Sequence, residues 1–171
     1  MNRDEMCLLP GAMEAVARLS RAGRPVVVIT NQSGIARGLY RALDVEEIHA
    51  AMEDAVAALG GRFEALYFCP HMDGDACDCR KPLPGLLRRA AQDLDVDLGR
   101  SVFVGDSETD VLAGRAAGCR TVAVASGLST AEVIASWPVP PDAAFPALSD
   151  AVDALLEATR ADEPAGMREN S

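Results

Sequence analysis

Aromatic residues are scarce, with one Trp, two Tyr and four Phe among 171 residues. The core must therefore be built from Ala, Val and Leu. No apolar run approaches the roughly 18 residues of a membrane span. The first residues, MNRDEMCLLPG, hold no apolar stretch of signal-peptide length, which makes the cytoplasm the expected compartment. Positive charge is also short. Sixteen Lys and Arg face 26 Asp and Glu, a net charge of -10, and that field repels nucleic-acid backbones and anionic lipid surfaces. A nucleic-acid partner and a membrane partner are accordingly not expected, and an anionic small substrate would need local cations. Five cysteines are present, three of them between positions 69 and 79. An odd, clustered set in a reducing compartment points to metal and away from disulfides.

The length suggests one domain, residues 1–160, followed by a polar tail at 161–171 expected to be disordered. Short apolar runs at Pro25–Thr30, Leu66–Cys69, Ser101–Gly105 and Thr121–Ala125 read as strands buried on both faces. Helical patterns lie at Gly11–Ala22, Asp44–Leu59, Pro84–Leu94, Glu108–Ala117 and Ser149–Arg160. Asp44 and Glu47 stand in capping-box spacing, and Gly23 and Gly118 follow their helices as C-terminal caps. Strands alternating with helices predict an α/β fold, a Rossmann-like doubly wound parallel sheet. In such sheets the chemistry sits at the carboxyl ends of the strands.

Four motifs fall at those ends. Cys69, His71, Cys77 and Cys79 offer three thiolates and an imidazole, the closed donor set of a structural zinc site. Gly74, in the acidic stretch between the pairs, allows the turn that would converge them. Cys7 and Cys119 are isolated and read as buried or idle thiols. Thr30-Asn31-Gln32-Ser33-Gly34 follows the first strand, where a hydroxyl and successive N–H groups can bind phosphoryl oxygens. Arg80-Lys81-Pro82 follows the last zinc ligand and suits charge clamping. Gly105-Asp106-Ser107-Glu108-Thr109-Asp110 opens a helix. Asp106 is placed to hold a hard cation such as Mg²⁺, though it could equally cap the helix. Asp110, four residues on, can point into the same site, where a cation would have to offset two like charges.

The order Thr30, Lys81, Asp106, each behind its own strand, resembles the haloacid-dehalogenase-like phosphatases. TNQSGIARG paired with CPH…CDCRKPLPG is similar to the heptose-1,7-bisphosphate 7-phosphatase branch, with the histidinol-phosphate phosphatases beside it. The likeness runs from Leu8 to Leu155. It implies a Mg²⁺-dependent phosphatase that removes the 7-phosphate of D-glycero-D-manno-heptose 1,7-bisphosphate. Thr30 and Lys81 would be catalytic, and Asn31, Gln32, Ser33, Arg80 and Ser107 would contact the small sugar phosphate. Asp106 would bind magnesium, with Asp110 supporting it from outside the ligand set, and Cys69, His71, Cys77 and Cys79 would bind zinc. With no sizeable insertion after Thr30 or Lys81, no large cap domain is expected. The protein is expected to be a monomer.

One departure stands out. The family works through an aspartyl-phosphate whose nucleophile lies in an Asp-x-Asp-Gly segment ending a first apolar strand, and this chain reaches LLPGA at residue 8. Arg3-Asp4-Glu5 follows no apolar strand and lies too close to Leu8, so it is rejected as the nucleophile. The first catalytic strand is expected to lie upstream of this sequence, through a late start assignment or a shortened chain. Three other readings stand beside this one: histidinol-phosphate hydrolysis, a catalytically dead zinc-stabilised binding protein, and a polynucleotide 3′-phosphatase. The acidic balance counts against the last.

Overall fold

The computed structural model describes residues 7–162. The first helix, α1 (Ala12–Arg21), buries Ala15, Val16 and Ala17 on one face. It closes where Gly23 N–H reaches Ser20 O (3.0 Å) and Arg24 N–H reaches Leu19 O (3.0 Å), as expected from the glycine. Strand β1 (Val27–Asn31) leads through a ten-residue turn to α2 (Ala42–Ala57) and then to β2 (Ala65–Cys69). The start of α2 corrects the expected cap. The helix begins two residues before Asp44, and the Asp44 carboxylate reaches back to accept from Arg41 N–H at 2.7 Å. Asp44 is therefore the third helical residue, satisfying a free N–H of the first turn.

The chain continues through α3 (Gly85–Leu94), a single 3₁₀ turn (Leu98–Arg100), β3 (Val102–Gly105), α4 (Glu108–Ala117) and β4 (Arg120–Val124). Two elements were not foreseen, α5 (Ala131–Ala135) and β5 (Ala143–Phe145). The last helix, α6 (Leu148–Asp162), runs two residues past the expected boundary. The rest of the expected tail, and Arg3-Asp4-Glu5, lie outside the described residues.

All pairings among the described residues are parallel, as the alternating pattern predicted. β1 pairs with β2 from Val27↔Ala65 to Asn31↔Cys69, and β3, β4 and β5 form a three-stranded part. Among the described residues, β1 has no partner on its second edge and neither does β3. Alternate residues of each strand serve opposite helix layers. Ile29 and Phe103 join α3 and α4 in one apolar cluster. Val28 and Leu66 face α1 and α2, and Val102 and Val104 face Ala151 of α6. A three-layer Rossmann-like arrangement results, with both parts of the sheet between shared helix layers, and among the described residues no inserted cap domain stands over it. No described helix is long and apolar enough to cross a membrane.

Candidate active site

The carboxyl ends of β1, β2 and β3 gather the predicted residues. Asn31 closes a reciprocal pair with the main chain of Lys81: its Nδ2 donates to Lys81 O (3.1 Å) and its Oδ1 accepts from Lys81 N–H (3.1 Å). The side-chain amide thus holds the main chain of Lys81, a role the sequence does not show. The loop after β1 is stitched to the cysteine loop by Gln32 N–H to Cys69 O (2.7 Å) and Ala36 N–H to Pro70 O (3.3 Å). Gln32 Nε2 donates to Thr30 Oγ1 at 3.2 Å. Ser33 is half-buried in the same loop.

Lys81 lies between the two parts of the sheet. Its ammonium donates to Ile29 O of β1 at 3.0 Å and stands 5.7 Å from the centre of the Phe103 ring of β3. It lies 2.6 Å from Asp110 Oδ1, and the two side chains are 13% and 6% exposed. The contact is an ion pair without hydrogen-bond alignment, since Asp110 Oδ1 has no hydrogen-bond partner. Two buried charges of opposite sign each remove much of the other's desolvation penalty.

The other oxygen of Asp110 fixes the turn after β3. It accepts from Asp106 N–H (3.2 Å), Ser107 N–H (3.1 Å) and the Ser107 hydroxyl (2.7 Å). Glycine at 105 is required by this packing, because a Cβ there would overlap the Asp110 carboxyl group. The cation that offsets Asp110 is therefore Lys81, where a metal had been expected to balance two convergent carboxylates. Asp106 points elsewhere: its Oδ2 accepts from Leu128 N–H at 2.8 Å. It remains the carboxylate suited to a hard cation that keeps most of its waters, the usual habit of Mg²⁺. Ser107 is the N-cap of α4, its hydroxyl turned to Asp110 (2.7 Å) and to Thr109 Oγ1 (2.9 Å).

The four soft donors converge. Cys79 Sγ lies 3.0 Å from Cys69 Sγ and 3.2 Å from His71 Nδ1, which is 3.5 Å from Cys69 Sγ. All four ligand atoms, Cys77 included, lie within 4.8 Å of one another. Zinc–thiolate bonds of about 2.3 Å require donor separations near 3.8 Å in a tetrahedron, so the set fits zinc. Burial and the neighbouring Cys69 and Cys77 thiols push the Cys79 thiol up to about 12. A dication in the cluster removes that crowding by displacing the protons. Arg80 is braced on the same loop, Nε to Asp73 Oδ1 (2.7 Å) and Nη1 to His71 O (3.2 Å). The Arg80 hydrogen bond holds the Asp73 carboxyl below its ordinary range. Beside it opens a cavity of about 140 Å³, lined by Asp73, Cys77, Arg80, Lys81 and Pro82 among others. Cys7 is exposed and Cys119 is buried, each outside the cluster.

Sequence reasoning missed Asp73 as the anchor of Arg80 and the Asn31–Lys81 clamp. It also missed Tyr40, whose hydroxyl donates to Gln32 Oε1 at 2.8 Å. Asp73 and Tyr40 lie within quoted or adjoining motifs, but polar loop residues carry no pattern that names their partners.

A parallel, three-layer α/β frame with Thr30, Lys81 and Asp106 at successive strand ends defines a haloacid-dehalogenase-like hydrolase, and residues 78–151 match the HAD-hydrolase-like family. The finer comparisons agree. A protein of Pseudomonas aeruginosa, D-glycero-β-D-manno-heptose-1,7-bisphosphate 7-phosphatase, is 48% identical over 124 residues, covering 72% of this chain and 70% of its own. The Bordetella bronchiseptica enzyme of the same name is 47% identical, with 72% and 69% covered. The crystal structure of the B. bronchiseptica heptose-bisphosphate phosphatase with magnesium and phosphate superposes with a TM-score of 0.86 at 40% identity, covering 92% of this chain and 88% of that one. The chain belongs to the heptose-1,7-bisphosphate 7-phosphatase family within the haloacid-dehalogenase-like hydrolases.

Proposed function

We propose that the protein hydrolyses the 7-phosphate of D-glycero-β-D-manno-heptose 1,7-bisphosphate. The observation that carries this is the buried Lys81 ammonium, held between Ile29 O and Asp110 at the mouth of the two half-sheets. A fixed cation there meets the charge that develops on a transferring phosphoryl group without having to reorganise. The Thr30 hydroxyl donates to a second phosphoryl oxygen. Arg80, a planar fork braced by Asp73 and His71 O, suits recognition of the second phosphate. Asp106 would hold Mg²⁺, which when bound lends positive charge to the phosphoryl oxygens. Cys69, His71, Cys77 and Cys79 would hold zinc, whose part is to fix the loop that ends in Arg80 and Lys81.

None of the three carboxylates described at the site is the attacking group on this reading: Asp110 is held by the turn and by Lys81, Asp73 is paired with Arg80, and Asp106 accepts from Leu128 N–H and would carry Mg²⁺. On this reading the nucleophile is a carboxylate carried by a further strand between the open edges of β1 and β3, beside Lys81. The acidic surface and the reduced thiol cluster favour a cytoplasmic monomer built on residues 1–160.

The test is phosphate release with Mg²⁺ from the heptose bisphosphate and from histidinol phosphate, using this chain and a version extended through the upstream reading frame. Faster release from the heptose bisphosphate by the extended protein is expected. A preference for histidinol phosphate, or an extended protein silent on both, overturns the proposal.

A further inference from the structure

Tyr40 stands outside the residues that sequence patterns assign to the site, yet it ends a chain of contacts leading into it. Its hydroxyl donates to Gln32 Oε1 (2.8 Å), and Gln32 Nε2 donates to Thr30 Oγ1 (3.2 Å). We propose that Tyr40 is a positioning residue that locks the Gln32 amide and so turns the Thr30 hydroxyl proton toward the phosphoryl group. The inference rests on the phosphatase reading above.

The argument is one of donor counting. A threonine hydroxyl has one proton and two lone pairs. Gln32 Nε2 has no lone pair to offer, so its bond fills an acceptor site on Thr30 Oγ1 and leaves the proton for another acceptor. A reversed amide would present Oε1 instead and take that proton. Either hydroxyl can donate or accept, but the phenol is the more acidic of the two and its oxygen the weaker acceptor, so the pair favours the amide oxygen at Tyr40 and the amide N–H at Thr30. The phenol is itself fixed. Its ring lies against the backbone of Gly34, where a Cβ would overlap it, and the loop is closed by Leu39 N–H to Gly34 O (2.9 Å). Because a hydroxyl donor to a phosphoryl oxygen strengthens as charge develops there, the device acts on turnover more than on binding.

The experiment compares the extended protein with its Tyr40→Phe and Gln32→Glu variants by steady-state kinetics on the heptose bisphosphate with Mg²⁺, and by nitrogen-15 NMR of the Gln32 side-chain amide. Tyr40→Phe keeps the ring on Gly34 and removes one neutral hydrogen bond. It is expected to lower kcat about five- to tenfold, leave KM within about twofold, and move the Gln32 amide resonances. Gln32→Glu puts a proton acceptor against Thr30 and is expected to lower kcat by about a hundredfold. A Tyr40→Phe protein with unchanged kcat overturns the inference, as does one whose KM and kcat worsen together alongside a lower Tm. If the unsubstituted extended protein hydrolyses no sugar phosphate, the function reading fails, and the NMR alone decides the inference. Gln32 resonances that stay put in Tyr40→Phe overturn it; resonances that move support it.

Discussion

At the end of β1, the site is held by side chains that reach across the sequence. Asn31 grips the main chain of a residue fifty positions away, Arg80 is tied to Asp73, and four soft donors converge below them. At the end of β3, one carboxylate holds its own backbone, Asp110 accepting from Asp106 and Ser107 N–H. The first arrangement rests on several long-range contacts beside a cluster able to hold a metal. The second is a local turn that forms with its helix. The two meet at the Lys81–Asp110 pair, and that single buried contact sets the distance between the phosphate clamp and the candidate magnesium carboxylate. Catalytic geometry is thus concentrated in one ion pair, with a labile half on one side and a self-contained half on the other.

Breaking the junction should have the largest effect. Lys81→Ala in the extended protein is expected to cut kcat by about 10²–10³, the scale of losing a fixed group aimed at developing charge. It should also destabilise the fold by about 3–5 kcal/mol, because Asp110 is left buried and unpaired. The sequence alone suggests a purely catalytic lysine; the structure makes it a structural one as well. Urea unfolding checks this, and the double variant Lys81→Met with Asp110→Asn should recover most of the stability with none of the activity. Equal stability of Lys81→Ala and the unsubstituted protein would show that the pair does not join the halves.

Loosening the half beside the cysteine cluster comes next. Cys77→Ser, or treatment with a zinc chelator, is expected to lower stability on the order of 3 kcal/mol and to lower activity with it, since Arg80 and Lys81 follow the last ligand directly. Full activity in a zinc-free Cys77→Ser protein would remove the bracing role. Asn31→Ala should be milder, on the order of 1–2 kcal/mol for two hydrogen bonds, with a fall in kcat because the Lys81 main chain is no longer held. Stability and kcat measured together on one preparation decide whether Asn31 acts through Lys81.

The difference between the halves also explains what could be read in advance. Three of the five described strands are short runs rich in β-branched residues, and a fourth, Ala65–Cys69, is a short run of aliphatic and aromatic ones; such runs are legible as strands. The fifth, Ala143–Phe145, is three residues long, too short for any periodicity, and α5 covers one turn or so of mixed sequence. The zinc ligands were legible because cysteine and histidine at close spacing have few other uses. Asp106 and Lys81 were legible by position behind strands. The partners were not: Asn31 with Lys81, Tyr40 with Gln32, and Lys81 with Asp110 are made by chain segments brought together only by folding. Roles drawn by likeness also did not reveal that Asn31 holds the Lys81 main chain and that Ser107 caps α4.

The smallest expected effect lies far from the junction, and it probes whether the β3 half is as self-contained as its hydrogen bonds suggest. Asp142 precedes β5 and accepts from Thr121 N–H (2.7 Å) and the Thr121 hydroxyl (2.9 Å), tying β4 to the outer strand. The backbone N–H of Thr121, then its hydroxyl, hold the Asp142 carboxyl below its ordinary value of 3.8. A depressed carboxyl pKa means that the unfolded chain binds the proton more readily. The stabilisation is therefore fully present above that ordinary value and is lost as pH falls through the lower folded value. Asp142→Asn keeps one oxygen acceptor and removes the charge. Because the side chain is partly exposed and its ion pair with Arg115 (3.4 Å) is solvent-screened, the loss at pH 7 should be held to about 1 kcal/mol. Urea midpoints of the two proteins should differ at pH 7 and converge in acid, once the pH has fallen below the lowered folded value and the carboxyl is protonated in both states. Any zinc held by the cysteine cluster would be released at the acid end, because thiolate ligands take up protons there. The comparison is therefore best made on two metal-free proteins, in which a gap that persists into acid would show that Asp142 acts through its shape alone and that the β3 half draws nothing from this charge.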